Sequence, residues 1–197
     1  MGATSAAWQA GWWHHARRCE SPNQGLRPQG LAIDLVVLHS ISLPPGEFGG
    51  VAIEQLFTNR LDPAAHPSFA ELRGLEVSAH FVIRRDGELV QYVSTERRAW
   101  HAGRSQWGGR DNCNDFSIGI ELEGLEGGLF EPAQYSVLVT LLRALRRQHP
   151  ITQVVGHEHV APGRKHDPGP GFDWAGLRRR LRWPRQCFPP DTGSPVA

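Results

Sequence analysis

Leu31-Ala-Ile-Asp-Leu-Val-Val-Leu38-His39 is the stretch from which the fold can be read. A short apolar, β-branched run of this kind is a strand buried on both faces, and such strands belong to sheets covered by other elements on either side. His39 stands at its carboxyl end. A histidine there is either a satisfied core residue or a ligand, and the run alone favours the former.

Two further strand signals flank it in sequence. His80-Phe-Val-Ile-Arg84-Arg85-Asp86-Gly87-Glu-Leu-Val-Gln-Tyr-Val93 places Asp-Gly between two β-rich runs, the strongest short hairpin signal. Ser117-Ile-Gly-Ile-Glu121-Leu-Glu123 alternates, with Ile118, Ile120 and Leu122 on one face and Ser117, Gly119, Glu121 and Glu123 on the other. Small residues beside a carboxylate leave room for a reactant, although a lone acidic strand residue usually faces solvent. Between the strands, Ile53, Leu56, Phe57 and Leu61 recur at helical spacing, and a short helical turn is expected near Phe69–Leu72. Pro132 opens a helix with a Tyr135, Leu138, Leu142, Leu145 stripe, and Arg143, Arg146 and Arg147 suit its last turns. Val154-Val155 is a short strand ending at His157. The order of elements predicts an α/β (mixed α+β) single domain, a central mixed sheet flanked by helices.

The chain's chemistry concentrates in Gly156–Gly171, which holds three imidazoles, two carboxylates and two cations in sixteen residues. Pro162-Gly163 and Pro168-Gly169 mark the segment beyond His159 as loop, where functional groups concentrate. Imidazole with carboxylate suits zinc, and a catalytic zinc takes three protein ligands and keeps one position open. His157 and Asp167 qualify only with a third ligand from elsewhere in the chain. Lys165 is the one lysine among 21 Lys plus Arg. As a compact point charge it can meet one developing negative charge.

The totals set outer bounds. The 197 residues can bury a sizeable core, and a net charge of +1 gives no electrostatic case for nucleic acid or membrane. Cys19, Cys113 and Cys187 are too few and too scattered for a disulfide framework. No apolar stretch approaches the roughly 20 residues of a membrane span. The amino end lacks the basic-then-apolar pattern of a signal peptide, so the expected location is cytoplasmic. Residues 1–30 read as an arm packed by Trp8, Trp12 and Trp13, residues 31–183 as the domain, and residues 184–197 as a flexible Pro/Gly-rich tail. Arg178, Arg179, Arg180 and Arg182 lie on a short helix from Trp174 to Trp183, which reads as a solvated face sooner than as a nucleic-acid surface.

Taken together, Leu38-His39 with Ile41-Ser-Leu-Pro-Pro-Gly-Glu-Phe-Gly-Gly50, Ser78-Ala-His80, Ala99-Trp-His-Ala-Gly103, Cys113 through Glu121-Leu-Glu-Gly124, and Gly156-His157 through Lys165 and Asp167-Pro-Gly-Pro170 resemble the zinc amidase family. That family includes phage lysozyme-type amidases and peptidoglycan recognition proteins. The resemblance spans about Leu31 to Leu181, and the Pro-Pro-Gly-Glu-Phe-Gly-Gly loop favours the cytosolic recycling enzymes. It implies the zinc amidase fold, one Zn2+ per chain on His39, His157 and Asp167, Glu121 acting on the attacking water, and Lys165 meeting the oxyanion. The bond cut would join the lactyl group of an (anhydro-)N-acetylmuramic acid to L-alanine in small soluble muropeptides, with no nucleic-acid or membrane partner and a monomeric enzyme. Pattern alone cannot choose Glu121 over Glu123; the resemblance does. Arg84, Arg104 and Arg110 are candidates for the stem-peptide carboxylates, with Trp100 beside them. Ser40 stands where relatives often have asparagine, and Asn112 where they have an arginine. A non-catalytic muropeptide-binding module and a lytic amidase acting on intact wall are the alternatives; the complete ligand, acid and cation set argues for catalysis.

Overall fold

The computed structural model describes residues 7–189. The amino-terminal segment forms a hairpin of β1 (Trp8–Gln9) and β2 (Trp12–Trp13), then β3 (Arg17–Arg18) and β4 (Gln24–Leu26). β5 (Leu35–Ile41), helix α1 (Ala52–Phe57) and a 3-10 turn at Pro67–Leu72 follow. The expected hairpin is β6 (Phe81–Ile83) and β7 (Leu89–Gln91), turning at Gly87, whose φ of +94° suits glycine. Short strands β8 (Arg97–Ala99), β9 (Gln106–Trp107) and β10 (Arg110–Asp111) lead into β11 (Ser117–Glu123). Helix α2 (Pro132–Gln148), β12 (Gln153–Gly156), α3 (His157–Val160) and α4 (Trp174–Leu181) complete the chain.

The main sheet has the order β12-β5-β11-β6-β7-β3. The ladder from β12 to β6 is parallel, the β6–β7 hairpin antiparallel, and β3 adds in parallel at the edge. The strand pleat sorts the residues. Val36, Leu38, Ile118, Ile120 and Leu122 pack against Leu138, Leu142 and Leu145 of α2 and Leu177 of α4. Each such large apolar side chain contributes about 1.5–3 kcal/mol on burial. On the opposite face, Ile53, Leu56 and Phe57 of α1 cover Val82, Val90 and Tyr92, while Phe116 and Val160 cover Leu35, Val37 and Val155. His39 and Glu121 lie on this second face, between its two clusters. They are register partners on adjacent parallel strands.

Three expectations need correction. The second face of β11 is not solvated: all seven residues are buried. The residues before 31 are more than a packed arm, because β3 supplies a strand of the main sheet and buried Trp8 and Trp13 join the core. Half-buried Arg27 ties this segment down by donating to the carbonyls of Thr95, Asn114, Asp115 and Ser117. At the other end, residues 184–189 are not a loose tail; Cys187 and Phe188 are buried in the same core. Residues 190–197 lie outside the described residues.

Candidate metal centre and active site

Neither histidine ends its strand as expected. β5 runs two residues beyond His39, and His157 opens α3 directly after β12. Parallel pairing of β12 with β5 brings the two together, with Gly156 opposite Leu38. Their Nδ1 atoms are 3.0 Å apart. Asp167 returns to them because Glu158 N–H donates to the Asp167 carbonyl, which closes the intervening loop. Its Oδ2 lies 3.1 Å from His39 Nδ1 and 3.2 Å from His157 Nδ1.

The protons on these rings can be assigned from their outer contacts. His157 Nε2 is 3.1 Å from the carbonyl of Ala102, which can only accept, so Nε2 carries the hydrogen and a lone pair available to a metal belongs on Nδ1. Burial first, and the neighbouring His157 second, lower the His39 pKa to about 4, which favours its neutral, lone-pair form. Burial would raise the Asp167 pKa, but contacts with His157 and His39 outweigh it and hold the carboxylate below its usual range. Three lone-pair donors therefore converge, within 4.8 Å of one another, where a cation is the natural complement. The donor set fits zinc.

Glu121 points from β11 onto the same face. It is 9% exposed, and its buried Oε2 has no hydrogen-bond partner among the described residues. Burial and the charge of Asp167 push its pKa well above the ordinary carboxylate value, against the pull of Lys165. A buried, unpaired carboxylate oxygen is costly and marks a functional position. Lys165 itself is exposed in the loop before Asp167, with its charge felt by both Glu121 and His39. His159 turns away from the three donors: its Nδ1 accepts from Gly156 N–H and its ring packs edge-on against Trp174.

The substrate-contact expectations divide. Arg84 is 8% exposed and donates to Glu123 at 2.9 Å, so its guanidinium holds the strand instead of facing a ligand. Glu123 is no solvated neighbour of Glu121 either, since it also accepts from the backbone N–H groups of Gly49 and Arg85. Arg110 pairs with Asp34 at 3.0 Å and stacks over Phe116, at the end of β5 opposite to His39. The expectation that Arg84 and Arg110 grip the peptide is thus replaced by structural partners for both. Arg104 is exposed beside Arg164 on the rim of a shallow hollow, and Trp100 is half-buried with its indole next to Gly25. His101 and Ala102, which contact the far nitrogens of both candidate ligands, were missed by the sequence reading. The signal for them was the Trp-His-Ala-Gly motif itself.

Residues 29–170 match the family described as N-acetylmuramoyl-L-alanine amidase. The chain belongs to that family. As a member, it is an enzyme that hydrolyses the amide between N-acetylmuramic acid and L-alanine. This amidase is 55% identical over 172 residues to the 1,6-anhydro-N-acetylmuramyl-L-alanine amidase AmpD of Escherichia coli K12, covering 86% of this chain and 94% of the relative. A crystal structure of a selenomethionine AmpD derivative superposes with a TM-score of 0.86 at 52% identity, covering 88% of this amidase and 98% of that chain. More distant is the E. coli amidase AmiD, solved in complex with anhydro-N-acetylmuramic acid-L-Ala-D-γ-Glu-L-Lys, with a TM-score of 0.57 at 29% identity over 78% of this chain and 60% of that one. Among the described residues of this amidase, no helix is long and apolar enough to cross a membrane.

Proposed function

We propose that the enzyme removes the peptide from soluble 1,6-anhydro-N-acetylmuramyl fragments of peptidoglycan, as a cytoplasmic, monomeric recycling amidase with one zinc ion on His39, His157 and Asp167. The observation that carries this reading is the convergence of three lone-pair donors beside the unpartnered Oε2 of Glu121. Similarity to an amidase named for an anhydro-muramyl substrate, and to AmiD, solved with one bound, supports the sugar assignment.

When bound, zinc supplies Lewis-acid activation of water and polarisation of the scissile carbonyl. The chain's own groups do the rest. Glu121 Oε2 takes a proton from the attacking water, and its raised proton affinity suits that task. It then passes the proton to the departing nitrogen of L-alanine. Lys165 places its ammonium against the charge that develops on the carbonyl oxygen. The apolar clusters flanking His39 and Glu121 limit competing water and strengthen both contacts.

Mass spectrometry of products from a defined anhydro-muropeptide, with and without a chelator, tests the proposal. Free peptide and 1,6-anhydro-N-acetylmuramic acid are expected, with formation stopped by chelation and restored by zinc. Efficient clearing of purified sacculi together with poor turnover of the anhydro-muropeptide would replace it with a lytic role.

A further inference from the structure

The loop Trp100–Gly103 lies outside the three candidate ligands, yet it meets the far side of both imidazoles. The Ala102 carbonyl accepts from His157 Nε2, and His101 Nδ1 lies 3.0 Å from His39 Nε2. One side-chain oxygen, Asn114 Oδ1, accepts from the backbone N–H of His101 at 3.1 Å and of Ala102 at 2.8 Å, so the two contacts are set together. Arg164 adds a second donor to the Ala102 carbonyl, at 2.7 Å.

The direction of the His101 contact follows from the end of its chain. Ser117 Oγ is 2.6 Å from the Cys113 carbonyl, and a carbonyl only accepts, so the hydroxyl hydrogen points there. That leaves Ser117 Oγ as the acceptor for His101 Nε2, 3.1 Å away. His101 Nε2 then bears the hydrogen and Nδ1 is bare. His39 Nε2–H donates to it, and His39 Nδ1 is left as a lone pair facing His157 and Asp167. The sequence also makes space for this ring. A Cβ on Gly119 would sit 2.4 Å from the His101 ring, so only glycine at this strand position admits the imidazole.

We infer that the Trp100–Gly103 loop is the outer frame of the metal centre and that His101 is a positioning residue, fixing the tautomer and ring plane of His39 through the relay Cys113 carbonyl, Ser117, His101, His39. This rests on the proposed zinc set of His39, His157 and Asp167. Outer partners of this kind typically change metal affinity about 10–100-fold when lost. His101 does not touch substrate in this scheme; it acts through His39.

The test is zinc affinity, measured by competition with a chromophoric chelator, combined with 15N NMR of the histidine tautomers in the zinc-loaded enzyme. His101→Phe keeps an aromatic ring but offers no acceptor, and should weaken zinc about 10–100-fold. Ser117→Ala deletes one hydroxyl and should weaken zinc in the same direction with the fold intact. His101→Asn, whose side-chain oxygen can stand in for Nδ1, should regain much of the lost affinity. The wild-type spectrum should show His39 protonated at Nε2 and His101 at Nε2. Wild-type affinity in both His101→Phe and Ser117→Ala, or a His101 protonated at Nδ1, would overturn the inference. Failure of the wild-type enzyme to bind zinc at this set would instead overturn the function proposed above, so the two are separable. Should His101→Phe fold poorly, Ser117→Ala decides.

Discussion

Glu121 and Glu123 are two residues apart on one face of β11, and their removal should move stability in opposite directions. Glu123 is 1% exposed and holds Arg84, whose side chain is 9% exposed, at 2.9 Å. Glu123→Ala leaves that guanidinium buried without its carboxylate, a loss typically of about 3–5 kcal/mol. It also frees Gly49 N–H, which lies in an exposed loop and can rehydrate, so this adds little. Against a total stability of about 5–15 kcal/mol, the variant should unfold at markedly lower urea. A double variant, Arg84→Met with Glu123→Leu, should recover most of the loss, since replacing a buried pair with apolar groups is often neutral. Glu121 behaves differently because its Oε2 has no partner among the described residues. Its folded pKa lies above the unfolded value, so its stabilising contribution exists below about pH 4.5 and is lost as pH rises towards the folded pKa. At neutral pH the metal-free Glu121→Gln protein should be at least as stable as wild type while losing most turnover. Equilibrium urea unfolding and amide-hydrolysis rates on the same samples measure both. A Glu123→Ala loss below about 1 kcal/mol, the range of exposed pairs, or a clear destabilisation by Glu121→Gln, would refute the reasoning.

Alanine at His157 should abolish stoichiometric zinc in elemental analysis, whereas Glu121→Ala should retain it. Lys165→Ala should lower turnover about 10²–10³-fold, and Lys165→Arg should restore only part because a planar fork places its charge differently. With Lys165 the one lysine, an amine-selective acylating reagent should inactivate in step with its modification, as peptide mapping would follow. Burial and nearby Arg27 lower the His149 pKa from 6.5 to about 4, so the folded state disfavours its charged form. Its contribution is complete above about pH 6.5 and is lost as pH falls towards 4. Thermal unfolding of His149→Gln should therefore decline less steeply across that window; an unchanged slope would remove His149 from the account.

The layers of the fold were readable because their signals are local. β11, the Asp86-Gly87 hairpin and the α2 stripe each carry a period or a turn within a dozen residues. The two- and three-residue strands of the amino-terminal segment are too short to show a period, so their place in the sheet stayed hidden. In the candidate site, residue type and spacing pointed to His39, His157 and Asp167. Which arginine faces inward depends on the pleat of the hairpin and the register with β11, and neither is written beside Arg84. The contact of His101 with His39 likewise depends on a glycine eighteen residues downstream, in a strand that the loop crosses.

The donors are far apart along the chain: 118 residues separate His39 from His157 and 128 separate it from Asp167. During synthesis β5 precedes β12 and the Asp167 loop, and for most of the polypeptide's production His39 lacks both of its proposed fellow ligands. The proposed centre assembles only when β12 docks and the Asp167 loop closes over it. A nascent chain that ends before His157 therefore lacks two of the three donors proposed to hold the ion. Choice among competing metals falls to the finished protein, whose fixed donor geometry can discriminate where affinity order alone would favour copper.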